Sequence, residues 1–263
     1  MTTLLKAIGW LLLALVVLIA SYVFVFSQSF HTPVNVLTPA PYASPGGPIL
    51  VFGGNRATGL EIVRMLREKG EDVTVAVRAT SNTDALKALG AKTVVADALD
   101  AATVQAAFAS GSYKVVVSTL GTSRGENARR PDFVGNRNVI DAAKAAGATR
   151  FVFVTVVGTG NSYDAAPIPA RSFLKDVIAL KGQAEDHLRA SGLQYTIIRP
   201  GGLGLGKSTG QAVMVDDPMA FSYIARVDVA KLAVEAIGDP ATIGKTYNAY
   251  DPARKTMWSM FQD

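Results

Sequence analysis

Gly53 and Gly59 have the clearest chemical meaning in the sequence, where they frame the turn of VFGGNRATGLEIV (residues 51–63). Two glycines at this spacing, between an apolar strand and a helix, allow a tight turn and let the backbone approach a phosphate group. The N-terminus of the following helix then points at the negative charge. The middle glycine of such motifs falls on Arg56 in the spacing G-x-x-G-x-x-G and on Ala57 in G-x-x-x-G-x-G. The segment predicts a dinucleotide-binding turn, with alanine in place of glycine or an arginine available to phosphate.

Arg78, at the end of the second predicted strand, indicates which dinucleotide is bound. An acidic residue at this position would hold the ribose hydroxyls of NAD. A cation instead gains a charged partner when the ribose carries a 2′-phosphate, and Arg56 adds a second positive group on the same side. We therefore expect NADP(H) in preference to NAD(H). The alternative is that Arg78 is a solvated arginine at a strand end.

The composition excludes several other kinds of site. The sequence has no cysteine and only two histidines, His31 and His187, which removes thiol nucleophiles and Cys/His zinc sites. A Ser-His-Asp hydrolase is disfavoured, since His31 lies in a proline-rich stretch and His187 reads as a polar helix position. The net charge of +5 is not gathered into a basic run, so nucleic acid is not the expected partner.

A long apolar segment near the N-terminus predicts a membrane anchor. Residues 7–26 are twenty consecutive residues without a charge, and as a helix they span about 30 Å, the thickness of a bilayer core. Trp10 and Tyr22 stand near its ends, where interfacial aromatics are favoured. The alternative is a cleaved signal peptide. Lys6 and the terminal amine are the flanking positive charges and favour a cytoplasmic N-terminus, whereas an NADP(H) site favours a cytoplasmic domain; we give the cofactor more weight.

Residues 27–48 contain five prolines and none of Lys, Arg, Asp or Glu. Such a segment is extended and packs poorly, so it is expected to be a tether, or else a strap along the domain surface. The predicted organisation is an anchor over residues 1–26, a proline-rich linker over 27–48 and one folded domain over 49–263.

Short apolar runs alternate with helical patterns from Ile49 onward, which predicts βαβ units and a parallel sheet. The fold expected is a single α/β domain, a Rossmann-like doubly wound parallel sheet, preceded by one transmembrane helix. The expected strands are Ile49–Gly53, Asp72–Arg78, Lys92–Ala96, Tyr113–Gly121, Arg150–Gly158, 194–202 and 245–250, with a long helix over Arg171–Ser191.

Three segments resemble a known superfamily. GGNRATGLE is similar to the GANRGIG-type turn of short-chain dehydrogenases/reductases, with Ala57 at the middle glycine. DFVGNRNVIDAAKAAGATRFVFVT and AEDHLRASGLQYTIIRPGGL resemble its atypical branch, which includes NmrA-like regulators, flavin/biliverdin reductase-like enzymes and photosynthetic assembly factors. The resemblance covers most of residues 49–252.

The resemblance implies a set of cofactor-binding residues. It places Gly53, Asn55, Arg56, Thr58 and Gly59 around the pyrophosphate and adenosine, Asp97 against the adenine, Thr119, Leu120 and Gly121 beneath the nicotinamide-side ribose, and Pro200, Gly201 and Gly202 beside the nicotinamide. Two of these segments have alternative interpretations. Asp97 is alternatively a residue at the N-terminus of a helix, and RPGG (residues 199–202) is alternatively an ordinary strand-to-loop turn.

The proton donor usual in this superfamily is missing. Its active members carry Tyr-x-x-x-Lys on the helix after the fifth strand, yet the residue four before Lys181 is Val177, and none of the eight tyrosines precedes a lysine at that spacing. Lys181 is a candidate for the ribose or for catalysis, or else a solvated helix lysine. Thr155 matches the catalytic Ser/Thr position, or is a β-branched strand residue. Tyr163 is a candidate displaced donor.

Two functions remain open from the sequence. The first is a membrane-anchored NADPH-dependent oxidoreductase acting on a quinone-, flavin- or lipid-like acceptor, which can collect its proton from solvent. The second is a non-catalytic NADP(H)-binding redox sensor, or an assembly factor for a membrane complex.

Overall fold

The computed structural model describes residues 2–38, 40–122, 130–204 and 206–261. Its strands are β1 Ile49–Phe52, β2 Val73–Val77, β3 Lys92–Val95, β4 Val115–Ser118, β5 Arg150–Val154, β6 Gln194–Pro200, β7 Gly202–Gly204, β8 Val213–Val215, β9 Tyr223–Ala225 and β10 Lys245–Tyr250. Its α-helices are α1 Thr2–Phe26, α2 Ala57–Glu68, α3 Asp84–Ala88, α4 Ala101–Ala109, α5 Val134–Ala145, α6 Ile168–Phe173, α7 Lys175–Ala190 and α8 Arg226–Gly238. Short 3₁₀ helices cover Gly160–Ala165, Pro240–Thr242 and Met257–Phe261.

Eight strands form one sheet in the order β3-β2-β1-β4-β5-β6-β10-β8, and β7 pairs with β9 in a separate parallel ribbon. All neighbours in the large sheet are parallel except β8, which runs antiparallel to β10. The chain moves outward from β1 to β3 and then returns to place β4 on the other side of β1. This reversal is the point where doubly wound sheets bind ligands, and it confirms the predicted fold class.

Both faces of the sheet are covered, which explains the continuous apolar runs of its central strands. In β1, Ile49 and Val51 pack into the core beneath α2 and α8, whereas Leu50 and Phe52 pack into the core beneath α4, α5 and α7. The period-two alternation thus divides one buried strand between two cores.

The predicted helix over Arg171–Ser191 is two helices in the structure. The chain turns at Leu174, whose φ of −101° and ψ of 13° leave the helical region between α6 and α7. The structure also contains elements that were not predicted: the helices α3 and α4, which precede β4, and the strands β7, β8 and β9. Each is short, so hydrophobic periodicity gave little signal for it.

Residues 27–48 lie along the domain surface, with residue 39 outside the described part. The backbone N–H of Leu37 donates to the Met214 carbonyl at 2.8 Å, next to a bridge between Val36 and Val215. Further along, the Tyr42 hydroxyl donates to Glu71 at 2.8 Å. These contacts match the strap alternative, and the segment is called the strap below.

Candidate functional site

A cleft of about 550 Å³ opens at the carboxyl ends of β1, β2, β4, β5 and β6, where the strand order reverses. Its volume lies within the range of small-molecule and cofactor sites, roughly 300–1,000 Å³. Most of the predicted site residues line it: Gly53, Asn55, Arg56, Thr58, Gly59, Arg78, Asp97, Thr119, Leu120, Gly121, Thr155, Lys181 and Pro200. The sheet therefore brings together residues that are up to 147 positions apart, from Gly53 to Pro200.

The turn between β1 and α2 has the backbone of a glycine motif with one alanine in it. Gly53 has a φ of +82°, and Ala57 has a φ of +48°, in the left-handed region that an alanine rarely adopts. Of the two spacings open from the sequence, this conformation favours G-x-x-x-G-x-G, with Ala57 in the middle position. A left-handed alanine costs roughly 1–2 kcal/mol.

Gly59 is required by close packing rather than by its dihedral angles. A Cβ at this position would lie 2.1 Å from the carbonyl oxygen of Gly53 and 2.8 Å from Oγ1 of Thr119. The Thr119 hydroxyl itself donates to that carbonyl at 3.1 Å. The turn, the first turn of α2 and the end of β4 are thus held against one another.

The N-terminus of α2 faces the cleft, with Thr58 and Gly59 in its first turn. No side chain of the described residues caps this helix end, and its first turn contains no acidic residue. The first amides of a helix lack intrahelical partners and carry positive partial charge. This arrangement fits a pyrophosphate, which would accept from these amides.

The lining near β2 and β3 is the predicted adenosine side. Arg56 and Arg78 both line the cleft there. Asp97 also lines it, and its Oδ1 accepts the backbone N–H of Leu99 at 3.1 Å. The N-cap of α4 is Asp100, so Asp97 stands before that helix rather than capping it.

Lys181 lies on the opposite side of the turn, buried on α7. Its Nζ donates to the Leu120 carbonyl at 2.6 Å and lies 3.9 Å from Oδ1 of Asp132. Burial lowers the pKa of Lys181, while the charges of Asp132 and Glu185 oppose that shift. The solvated-lysine alternative is therefore wrong for this residue, and Lys181 holds the loop after β4.

Asp132 supports the same loop from below. Its Oδ2 accepts from the backbone N–H of Thr122 at 3.1 Å and from the Thr122 hydroxyl. Its Oδ1 is buried and has no hydrogen-bond partner among the described residues. This oxygen faces the Lys181 ammonium at 3.9 Å, within ion-pair distance.

Glu185, one turn after Lys181, is the centre of a buried network. Its Oε1 accepts from the Thr155 hydroxyl at 2.7 Å and from the Thr159 hydroxyl at 2.7 Å. Arg199 donates to both carboxylate oxygens, at 3.0 and 2.6 Å. The single hydroxyl hydrogen of Thr155 is therefore donated to Glu185, which limits Thr155 as a hydrogen-bond donor to a substrate.

Three predicted candidates lie outside the cleft. Gly201 and Gly202 are not among its described lining residues; they allow close approach of the Ser222 carbonyl and the Tyr223 ring instead. Tyr163 is half exposed in the 3₁₀ helix Gly160–Ala165, with the Arg171 guanidinium 5.1 Å from its ring centroid. None of the described contacts brings Tyr163 to Lys181, so it stays a prediction without geometric support.

Several lining or supporting residues were not predicted from the sequence: Thr122, Asp132, Glu185, Leu203 and Arg226. A signal was available for Glu185 alone, which lies four residues after Lys181 and so on the same helix face. Thr122 and Asp132 lie in the segment between β4 and α5, Leu203 lies on the short strand β7, and Arg226 begins α8; at none of these positions do period and spacing indicate a contact with the cleft.

Comparison with known proteins agrees with this geometry. The sequence profile described as NAD(P)H-binding matches residues 53–240. The protein YhfK of Bacillus subtilis, called an uncharacterized sugar epimerase, is 28% identical over 204 residues, which are 76% of this chain and 92% of YhfK. The photosystem II assembly factor Ycf39 of Guillardia theta is 28% identical over 207 residues, 75% of this chain and 63% of Ycf39.

Among solved structures, the anaerobillin reductase ChuY from Escherichia coli O157:H7 superposes with a TM-score of 0.70 at 30% identity. The match covers 78% of this chain and 97% of ChuY. Since the family profile covers more than half of the chain, the protein belongs to the NAD(P)H-binding family, with the atypical short-chain dehydrogenase/reductase fold that its sequence motifs predict.

Proposed function

We propose that the protein is an NADPH-dependent reductase that is anchored in a membrane and acts on a quinone-, flavin- or lipid-like acceptor. The observation that carries the proposal is the composition of one continuous cleft. Arg56 and Arg78 line it on the β2 side, the uncapped start of α2 lines its centre, and Lys181 lines it beyond β4. In this order, the three parts would bind the 2′-phosphate, the pyrophosphate and the second ribose of the dinucleotide.

Each part of the chain has a defined task in this proposal. The α2 amides hold the pyrophosphate, Arg78 and Arg56 hold the 2′-phosphate, and Lys181 keeps the loop of Leu120 in place beneath the second ribose. When bound, the dinucleotide supplies a hydride. Val154 and Pro200, which line the same end of the cleft, exclude water from the reacting face.

The hydroxyl groups around the cleft support the proposed acceptor class. Thr155 donates to Glu185, Thr119 to Gly53 and Thr122 to Asp132. These threonines already donate within the protein, and the Tyr-x-x-x-Lys pair is missing from the sequence. Simple ketones need a proton from a positioned acid, whereas quinones and flavins stabilise the reduced anion and can take a proton from water. The similarity to a protein described as a reductase supports this direction.

We also propose that α1 is retained as a single transmembrane anchor, with the domain on the cytoplasmic side, where the dinucleotide is found. Among the described helices, Thr3–Phe26 is long and apolar enough to cross a bilayer, a test that a signal sequence also passes. Intact-mass measurement of the protein recovered from membranes tests this point. A mass that includes residues 2–26 is expected, and a mass lacking them would refute the anchor.

A second candidate function is binding without turnover, as a redox sensor or an assembly factor for a membrane complex. The observation in its favour is that the Thr155 hydroxyl is donated to Glu185. The similarity to Ycf39, described as a photosystem II assembly factor, gives the kind of role such a protein would have.

Calorimetric titration of NADPH and NADH into the full chain in detergent micelles tests the cofactor proposal. We expect NADPH to bind tightly and NADH weakly, and Arg78→Asp to weaken NADPH far more than NADH. Lys144→Asp, a charge reversal at an exposed α5 residue, is the matched control. Equal losses for both nucleotides in Arg78→Asp would refute the NADP(H) preference.

Following NADPH absorbance with a panel of quinones and flavins then separates the two functions. Sustained, enzyme-dependent oxidation with at least one acceptor is expected. Tight NADPH binding without turnover across the panel would reject the reductase and support the binding function.

A further inference from the structure

The chain that follows the C-terminal end of α1 is fixed on the domain. The Tyr223 hydroxyl donates to the Ser27 carbonyl at 2.7 Å, and Ser27 itself is buried. Two residues later, the Ser29 N–H donates to the Lys255 carbonyl at 3.1 Å, and α1 contacts α6. If α1 spans a bilayer, the surface around Tyr223 therefore lies at the membrane boundary.

That same surface carries large exposed apolar side chains, which form what we call the docking face: Tyr163, Ile168, Phe173, Leu203 and Trp258. Phe173 is 88% exposed and Trp258 is 60% exposed, which is unusual for side chains of this size unless they meet a partner.

The members of the docking face belong to elements that touch one another. Ile168 and Phe173 lie on α6, which contacts α1. Trp258 lies on the 3₁₀ helix Met257–Phe261, which contacts β7, the strand of Leu203, and β9, the strand of Tyr223. The docking face is thus continuous with the anchor.

The bilayer is the occupant that fits this surface best. Exposed tryptophan, tyrosine and phenylalanine side chains insert into the region between headgroups and acyl chains. The exposed charges nearby are of both signs, with Lys175 and Asp176 at the start of α7 and Asp164 paired with Arg171 at 2.9 Å, so the apolar rings are what favour contact with the bilayer.

The cleft reaches this face. Leu203 belongs to the docking face and also lines the cleft, next to Pro200. Since the α2 N-terminus marks the pyrophosphate and Arg78 the adenosine side, the reactive half of a dinucleotide lies toward β5 and β6, the side of Pro200 and Leu203. The mouth of the cleft at its reactive end thus adjoins the surface that α1 holds at the membrane.

We propose that the docking face rests on the bilayer and that the acceptor enters the cleft from the membrane past Leu203. The acceptor class is then a quinone with an apolar tail that is dissolved in the lipid. It would take a hydride from NADPH and one proton from water, giving the quinol and NADP⁺. This inference rests on the proposed reductase function for its chemistry, but the membrane contact of the docking face can be tested separately.

Fluorescence quenching in vesicles tests the membrane contact without any turnover. The full chain with Trp10→Phe, which leaves Trp258 as the one indole, is reconstituted into phosphatidylcholine vesicles with brominated or ordinary acyl chains. Brominated lipid is expected to quench Trp258, and aqueous iodide to have little effect. Val95→Trp in a Trp10→Phe, Trp258→Phe background is the control, since Val95 is 61% exposed on β3, an edge strand that carries no residue of the docking face; it should show the reverse pattern.

Quenching of Trp258 by iodide and not by brominated lipid would overturn the proposal. Protection of Trp258 from both quenchers would also overturn it, because a protein surface would then cover this face.

Kinetics in the same vesicles test the route of the acceptor. Phe173→Asp combined with Trp258→Asp is expected to lower the rate with a long-tailed quinone in the lipid by about tenfold or more, since two rings leave the membrane contact. The rate with a short, water-soluble quinone should not change, and Val95→Asp should change neither. Equal rates of the double variant and the control with the long-tailed quinone would refute entry from the membrane.

Different results would contradict the membrane contact of the docking face and the reductase function. Loss of both rates together with loss of NADPH binding by calorimetry would mean that the double variant damages the fold; the Trp258 quenching result then decides on membrane contact. If the unaltered protein binds no NADPH or reduces no acceptor, the reductase function fails, whereas the quenching pattern still reports on the docking face.

Discussion

Replacing Glu185 by alanine should be the most destabilising single change near the cleft. Its carboxylate accepts hydrogen bonds from Thr155, Thr159 and Arg199, and from Arg189 at 3.0 Å. Arg199 and Glu185 are both buried. The variant therefore removes one charge of a buried pair and leaves the Arg199 guanidinium in the interior without its main counter-charge.

The magnitude follows from the cost of an unpaired buried charge, which is about 3–5 kcal/mol when one partner of a buried ion pair is removed. For a domain of 150–250 residues, each kcal/mol corresponds to about 2–4 °C in Tm. We therefore expect Glu185→Ala to lower Tm by about 6–20 °C. Glu68→Ala, which breaks the exposed pair with Arg64 at 2.7 Å, should cost at most about 1 kcal/mol.

The pH dependence gives a second signature of the same network. Burial alone would raise the pKa of Glu185, but the hydrogen bonds and charge of Arg199, with the hydroxyls of Thr159 and Thr155, hold the pKa below its ordinary value of 4.5. A carboxylate with a lowered pKa in the folded state contributes stability above its ordinary pKa and loses it as the pH falls through the lowered value. The Tm difference between the unaltered protein and Glu185→Ala should therefore shrink in acid below pH 4.5.

Thermal unfolding of the full chain in detergent, followed by circular dichroism, measures these changes. A double-mutant cycle with Arg199→Met and Glu185→Leu isolates the pair: each single change should be strongly destabilising, and the double variant should recover much of the loss. A Tm for Glu185→Ala equal to that of Glu68→Ala would refute the reasoning, as would additive effects in the cycle.

Three further changes probe the turn and the strap. Gly59→Ala, whose Cβ would lie 2.1 Å from the Gly53 carbonyl, should weaken NADPH binding by about tenfold or more in calorimetry, because the turn must move away from the pyrophosphate; unchanged affinity would contradict this packing. Ala57→Gly removes a left-handed cost of roughly 1–2 kcal/mol and adds a backbone entropy cost of roughly 0.5–1 kcal/mol. The net gain is roughly 0–1.5 kcal/mol, so its Tm should rise by up to about 6 °C, and a fall would mean that the φ of this residue is not strained. Asp217→Asn weakens the 2.7 Å contact with His31 and should speed proteolytic cleavage within the strap; cleavage at the unaltered rate would indicate that the strap is held by its backbone contacts alone.

The sheet and the cleft could be predicted because local signals and the general rules of α/β folds are sufficient for them. ILVF at 49–52 and RFVFV at 150–154 are buried strands as expected, and the position of the turn after β1 fixes where a dinucleotide would lie. The two spacings of the turn could not be separated in the same way. A left-handed Ala57 is an exception to the usual preference of alanine, and the sequence alone does not show that the chain accepts this cost.

The partners of the supporting residues could not be predicted from the sequence, for a different reason. Glu185 and Arg199 are on α7 and β6, and their pairing depends on how that helix packs on the sheet. The strap has the same difficulty, because Leu37 joins the domain through its backbone N–H, a contact that has no side-chain signature. Periodicity in the sequence predicts neither the pairing of charges inside the core nor the backbone contacts at its edge, because both depend on the tertiary structure.

The hydrogen bonds of the cleft and the proposed position of the anchor both support the proposed quinone acceptor. Around the reactive half, the hydroxyl hydrogens of Thr119, Thr122 and Thr155 are donated to protein acceptors, and Lys181 donates to the Leu120 carbonyl. A substrate that needs a proton from one of these hydroxyls would therefore have to break a threonine hydrogen bond, at a cost of about 0.5–1.5 kcal/mol or more. A quinone avoids this cost because its reduced anion can be protonated by water, and a membrane is where long-tailed quinones are found. The hydrogen bonds inside the cleft and the exposed rings outside it thus favour the acceptor that we propose, an apolar molecule whose own ring stabilises the charge of its reduced anion.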